Sequence, residues 1–300
     1  YVMLLVGMVA SALVCGALLE AYTPGRLIRV IQGAAVITVA LNLAALWKQE
    51  ARDRDRAQRM MTARPQPFRD AWAQHMRAPG RVWLLGVIAL GTFGFGSADV
   101  LLEPYGGQVL GLSVAQTAKL TALFAGGTLI GFGWASRVLG AGGAPERLGL
   151  FGALIGVPGF AAIILSSQGG GALLLLVGVL MTGLGAGLCS HATLTATMRT
   201  APREQVGLAL GTWGAVQATA AGVGIALAGL VRDLIVGTGA ARGLADHTAY
   251  NVVFSVEIAC LLLASAALLP LLAGRHGRTH QNDTAGSPSQ DLHPDPLEAS

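Results

Sequence analysis

Four ionisable side chains sit where the surrounding sequence is almost wholly apolar: Asp99, Glu103, His191 and Glu257. Asp99 and Glu103 are four residues apart in Ser97-Ala-Asp-Val-Leu-Leu-Glu-Pro-Tyr-Gly-Gly-Gln108, so a helix sets both carboxyls on one face. His191 lies among small residues in Leu188-Cys-Ser-His-Ala-Thr193. Its neutral imidazole can ligate a metal or hydrogen-bond a neighbouring helix. Glu257 is flanked by Ser255-Val256 and Ile258-Ala259 and should face a helix-bundle interior or a water-filled cavity. Acids in apolar surroundings are costly, so each calls for a partner or a task, such as proton exchange or the grip of a basic group like Lys119. Glu103 also has an interfacial reading, because a carboxylate at a helix end reaches water. Asp99 lies about one turn (~5 Å) deeper, where that reading fits less well.

No nucleophile elbow, phosphate-binding loop, HExxH pair or dinucleotide fingerprint occurs, so the sequence gives no catalytic arrangement and reads as a non-enzyme. Gly142-Gly143 and Gly169-Gly170-Gly171 are turn glycines rather than phosphate cradles. Cys15, Cys189 and Cys260 show no CxxC pairing and lie in apolar runs, which argues against a disulfide framework or a zinc site.

The elements that must hold these residues follow from composition. The chain has 300 residues, 53% hydrophobic and 12% charged, with 42 glycines. A soluble domain carries about 25% charged residues, and here apolar runs recur at the length that spans a bilayer. The expected fold is an all-α, polytopic membrane helix bundle with about eight transmembrane helices. They cover about 1–19, 27–47, 82–103, 115–138, 147–167, 172–198, 206–231 and 249–273. Pro104 with Gly106-Gly107 reads as a helix stop. Four Gly-x-x-x-Gly pairs, at 127/131, 152/156, 183/187 and 207/211, should let neighbouring backbones approach. Trp47, Trp83, Tyr105, Trp134 and Trp213 sit near span ends, where an aromatic belt is expected.

Four regions result. Residues 1–47 hold two spans, 48–81 a basic loop, 82–273 six spans, and 274–300 a polar tail expected to be disordered. Within the loop Phe68, Trp72 and Met76 recur every four residues, which fits a short helix lying on the membrane or a solvated linker helix. The loop carries nine of the twenty Lys and Arg residues. Placing it in the cytoplasm puts fifteen basic residues on that side and five on the other, a positive-inside bias. The net charge of +4 is thus topological and does not point to nucleic acid. Two spans, a basic loop, six spans and a tail match the back end of a twelve-helix transporter built from two six-helix halves. The chain opens at Tyr1 inside an apolar run, so four preceding helices are expected in a longer protein.

Three runs carry a family resemblance. They are Asp99-Val-Leu-Leu-Glu-Pro-Tyr-Gly-Gly-Gln-Val-Leu-Gly-Leu-Ser113 with Leu120-Thr-Ala-Leu123, Arg29-Val-Ile-Gln-Gly-Ala-Ala35 with Ala45-Leu-Trp-Lys-Gln-Glu50, and Gly185-Ala-Gly-Leu-Cys-Ser-His-Ala-Thr-Leu-Thr-Ala-Thr-Met198. The chain resembles the PucC-type bacteriochlorophyll-delivery branch of the major facilitator superfamily, from near its start to about residue 273. The resemblance implies a photosynthetic bacterium and its cytoplasmic or intracytoplasmic membrane. It implies a role in assembling light-harvesting antenna complexes, with antenna polypeptides, bacteriochlorophyll or its synthesis machinery as partners. Bacteriochlorophyll is the implied cofactor, and His191 could be an axial ligand to its Mg; no metal is expected to be bound by the protein directly. The alternative is a proton-coupled secondary transporter of a small solute using Asp99 or Glu257. The superfamily's loop motif, Gly-x-x-x-Asp-Arg-x-Gly, meets Trp134-Ala-Ser-Arg-Val-Leu-Gly140 here, with Ser136 in place of the acid. That departure weighs against ordinary alternating access.

Overall fold

In a bilayer each backbone N–H and C=O must be paired within its own segment, so long apolar runs fold as helices. The computed structural model describes residues 2–46, 67–202, 205–237 and 247–285, with side chains of the last helix through 272. Among the described residues there are ten α-helices: α1 (Val2–Leu18), α2 (Pro24–Leu46), α3 (Phe68–Arg77), α4 (Arg81–Gly96), α5 (Ala98–Leu110), α6 (Val114–Gly140), α7 (Pro145–Leu165), α8 (Gly171–Thr200), α9 (Val206–Gly237) and α10 (His247–Ala285). Six stretches are long and apolar enough to cross a membrane, with α4 and α5 forming one of them. The stretch Pro145–Thr200 is two crossings folded back at a π-turn, where Gln168 and Gly169 leave helical geometry. With the shorter α1, the described residues hold the eight expected spans.

Helix α8 is the hub. It packs along α6 on one side and α7 on the other; α1 lies against α6, and α10 reaches both α7 and α4. The contacts are backbone to backbone. A methyl placed on Gly131 of α6 would lie 2.5 Å from the Leu184 carbonyl oxygen, and one on Gly152 of α7 would lie 2.8 Å from the Cys189 nitrogen. Nothing larger than glycine fits, and this is how helices associate without a hydrophobic drive between them. The pair Gly207/Gly211 behaves differently. A methyl on either meets nothing within 4 Å, so three of the four glycine pairs seat helices and the fourth lines open space.

Other expectations are corrected. Pro104 does not stop a helix but lies inside α5, which ends at Gly111 with φ +66°. Proline removes one intrahelical bond, whereas the left-handed stop requires a residue without Cβ. The break falls earlier, at Ser97 between α4 and α5. Tyr105 is fully buried and not a belt residue: its hydroxyl donates to the Ile163 carbonyl at 2.7 Å, and its ring meets Tyr250 and Phe254 edge-on. Trp213 is likewise buried, with Nε1 3.4 Å from the Thr193 hydroxyl. Trp83 and Trp134 are exposed, and Trp47 lies outside the described residues. Helix α10 continues to Ala285, so the first residues past 274 are helical; 286–300 lie outside the described residues.

Cationic side chains close the basic end of the bundle. Arg199 donates to the Leu139 and Gly143 carbonyls, both at 3.0 Å, and Arg81 donates to the Thr200 carbonyl at 3.1 Å. Leu139 and Thr200 lie in the last turns of α6 and α8, where a cation is favourably placed.

The glycine seats make a discriminating test. Gly131→Ala should lower stability by about 1–3 kcal/mol through overpacking. Gly211→Ala should leave thermal unfolding of the purified protein unchanged. Equal tolerance of the two would refute the close seat.

Candidate functional site

Asp99 and Glu257 meet different surroundings on the two sides of the α4–α5 crossing. On one side Asp99 lines a cavity of about 220 Å³ whose polar wall comes from Thr92 on α4, Thr128 on α6, Ser190 and Thr193 on α8, and Gln217 on α9. Leu5 and Met8 of α1 supply part of its apolar wall. Hydroxyls and an amide can hold a carboxyl or a polar ligand by hydrogen bonds without adding charge. On the other side Ser97 Oγ donates to Glu257 Oε1 on α10. Glu257 is 2% exposed, and its Oε2 has no hydrogen-bond partner among the described residues.

Glu103 is exposed and accepts from the Thr121 hydroxyl at 2.5 Å. Among the described residues no ion pair joins Lys119 to Asp99 or Glu103; Arg232 pairs with Asp233 at 3.4 Å. The cation at the far end is Arg232, which binds Gln108 Oε1 at 3.1 Å and lies over the Tyr250 ring at 5.2 Å. Tyr250 donates to the same Gln108 oxygen at 2.7 Å, so α5, α9 and α10 are tied there.

His191 is half-buried on α8. Its ring stands edge-on to Phe132 of α6 with centroids 5.2 Å apart, and its enclosed Nδ1 has no hydrogen-bond partner among the described residues. Phe132 packs in turn with Leu5 of α1. His191 therefore does not share the Asp99 cavity, although its neighbour Ser190 lines it. No group of three or more His, Cys, Asp or Glu residues among the described residues could hold a metal ion. The three cysteines are free.

Sequence reasoning missed Ser97, Gln217 and the hydroxyls around Asp99. Their signal was a lone amide in an apolar span and Ser or Thr at mid-helix, which hydrogen-bond across helices in membranes. It also missed His75 on α3, which is 1% exposed with neither ring nitrogen partnered among the described residues. Burial, and then the Arg81 guanidinium, hold this imidazole below its ordinary value.

Together these features describe a multi-pass, all-α membrane protein with uncharged polar groups and isolated acids held inside a glycine-seated bundle. Residues 1–276 match the family described as PUCC protein, and the chain belongs to that family. It is 60% identical over 280 residues to Protein PucC of Rhodobacter capsulatus, covering 93% of this chain and 60% of that one. Protein PucC of Rhodovulum sulfidophilum is 58% identical over 236 residues, 78% of this chain and 52% of that one. A more distant relative is the bacteriochlorophyll synthase 44.5 kDa chain of Rhodobacter capsulatus, 27% identical over 303 residues, 92% of this chain and 63% of that one. The chain thus spans between half and two thirds of the length of these relatives.

Two tests follow from the geometry. Ser97→Ala removes the hydroxyl from which Glu257 Oε1 accepts and should cost about 1–3 kcal/mol in thermal unfolding, with Ser97→Thr closer to wild type. Unchanged stability in Ser97→Ala would sink the role given to this bond. For His75, a docked value below the free value of 6.5 means that docking energy is full above the free value. It is lost as pH falls from there toward the docked value. Hydrogen exchange in α3, corrected for intrinsic rate, should rise on acidification and stay flat in His75→Phe. A pH response that persists in that variant would assign the effect elsewhere.

Proposed function

We propose that this chain belongs to a membrane assembly factor for light-harvesting antenna complexes, one that binds or hands over bacteriochlorophyll as antenna polypeptides insert. Its place is the cytoplasmic or intracytoplasmic membrane of a photosynthetic bacterium, and its fold is that of the second half, with two helices of the first, of a major-facilitator-type protein. The observation that carries the proposal is His191, a half-buried imidazole between Ser190 and Ala192 that stands edge-on to Phe132. An uncharged imidazole in apolar surroundings suits a metal that is held in a macrocycle and has an open axial position. The name of one relative, bacteriochlorophyll synthase 44.5 kDa chain, points to the same pigment.

The Asp99 cavity, at about 220 Å³, lies below the roughly 300–1,000 Å³ range of sites that enclose a drug-sized ligand. It cannot enclose a macrocycle as it stands. The pigment would therefore lie outside the bundle, with its Mg toward His191 and its face on the outer surface of α8. His191 would hold and orient it there, and Phe132 would brace the imidazole from the side. Asp99 and Glu257 take no metal in this scheme and serve to position helices or to meet polar groups. The pigment supplies light absorption, and the protein supplies only binding and release.

A secondary-transport reading keeps one observation in its favour, the polar lining of the Asp99 cavity. An absorption spectrum of the purified full-length protein separates the two. Assembly-factor function predicts bacteriochlorophyll bands that His191→Ala removes and Asp99→Asn leaves in place. A colourless protein that drives a pH-gradient-dependent solute flux abolished by Asp99→Asn would overturn it.

A further inference from the structure

Among the described residues Glu257 is the most deeply buried acid, at 2% exposure. Helices of this chain alone account for that burial. A methyl on Gly94 of α4 would lie 3.3 Å from the Glu257 carbonyl oxygen, and Leu261, one turn on, packs against both Gly94 and Gly156 of α7. Carboxyl Oε1 accepts from Ser97, and Oε2 has no hydrogen-bond partner among the described residues. Beside the carboxyl lies a cavity of about 150 Å³ between α4, α9 and α10, walled by residues such as Phe93, Ala228 and Val253. Apart from Ser97 and Glu257, no lining residue carries a polar side chain.

A carboxylate in this position needs a counter-charge or several donors. Helix α10 packs against α4, α5, α7 and α9, and none of them turns a cation to it here. Arg81 begins α4 and is bonded to Thr200 at the basic end. Helix α5 brings only further acids, Asp99 and Glu103. Glu146 and Arg147 stand in the first turn of α7, well before Gly156. Arg232 follows the cavity residue Val231 on α9 but is turned to Gln108, Asp233 and the Tyr250 ring. On α10 itself, His247 lies at the first residue, Tyr250 donates to Gln108, and Cys260, within electrostatic reach of Glu257, brings no positive charge. Water does not replace the missing charge. A cavity of this size with an alkyl and aromatic wall stays dry, and a water at Oε2 would find only Ser97 as a second side-chain partner, whose proton is already given to Oε1.

We infer that Glu257 is a proton-binding site. It stands in the bundle as the neutral acid, with the proton on Oε2 toward the cavity and Oε1 as the carbonyl oxygen that Ser97 bonds. A proton removes the charge without needing room, an entry path or an uncovered surface. The neutral acid suits α9 and α10 packed as they are. The carboxylate does not, because it needs donors that water can bring only where the two helices part. Release of the proton, which passes to that water, is therefore linked to separation of α9 from α10. No solute or pigment takes part in this step, so the site stands or falls separately from the roles given to Asp99 and His191.

The test is infrared spectroscopy of the full-length protein in lipid nanodiscs, with isotope-labelled glutamate carboxyls. A protonated carboxyl gives a carbonyl band at higher frequency than the carboxylate bands. At neutral pH wild type should show such a band, moved by the isotope, lost in Glu257→Gln and kept in Glu103→Gln. Ser97→Ala takes a hydrogen bond from the carbonyl oxygen and should move the band to higher frequency without removing it. Ser97→Thr keeps the hydroxyl and should leave the band in place, and thermal unfolding confirms that each variant is folded. As pH is raised, the band should fade together with a rise in hydrogen exchange over residues 224–231, corrected for intrinsic rate. Glu257→Gln, which has no proton to release, should show no such rise. Carboxylate bands from Glu257 at neutral pH would mean that a cation fills the site and would overturn the inference. A band that Ser97→Ala leaves unmoved, or an exchange response that persists in Glu257→Gln, would overturn it too.

Discussion

The seat of α8 between α6 and α7 is the constraint on which the rest of the structure depends. Inside a bilayer, lipid tails are as apolar as leucine, so helices gain little from merely hiding side chains from one another. What they gain comes from contact distance, and glycine sets that distance. Gly127 and Gly131 admit the α8 backbone at Leu180 and Leu184, and Gly152 admits it at Gly185 and Cys189. Three helices held this closely leave no room for sliding. Every polar side chain on α8 therefore has a fixed address: Ser190 and Thr193 toward the Asp99 cavity, His191 toward Phe132.

A rigid seat on one side allows irregularity on the other. Helices α4 and α5 are one membrane crossing with a break at Ser97. Ser97 keeps right-handed helical dihedrals, φ −92° and ψ −14°, and its carbonyl still accepts from the Leu101 N–H at 2.9 Å. Here Ser97 itself turns outward to Glu257 of α10, and Tyr105, two turns on, anchors α5 to the carbonyl of Ile163 at the end of α7. The break is therefore pinned from two helices. Asp99 of α5 and Glu257 of α10 end in different surroundings.

Much of this was legible in the residues. Span number and order follow from apolar length and from turn glycines, because those depend on composition alone. Three glycine pairs were read correctly because a small-residue stripe inside a buried helix has one use. The fourth was misread because Gly207 and Gly211 form the same pattern on a face that packs against nothing within 4 Å, and sequence does not state which face is covered. The Pro104 stop failed for a similar reason: proline's cost in a helix is one missing bond, and surrounding packing can absorb it. Tyr105 and Trp213 look like belt residues by position, yet each found an oxygen inside the bundle, which is the condition for burying an aromatic with a polar tip. Asp99, His191 and Glu257 stood out by type. Their surroundings did not, since Ser97, Gln217 and Phe132 are distant in sequence or ordinary in kind.

The contrast between the two inner acids argues for a division of labour. Asp99 is surrounded by hydroxyls and an amide from four helices, a lining that can exchange hydrogen bonds and tolerate either protonation state. Glu257 has one hydroxyl and a wall of alkyl and aromatic groups, a lining that offers a single fixed geometry to a single incoming atom. The first environment suits a site that changes occupant or state. The second holds its acid by few bonds, so it is the environment more sensitive to the loss of a single hydroxyl. The difference follows from what faces each acid: four helices lend polar side chains to the Asp99 cavity, and Ser97 meets Glu257, so the two acids answer to different substitutions.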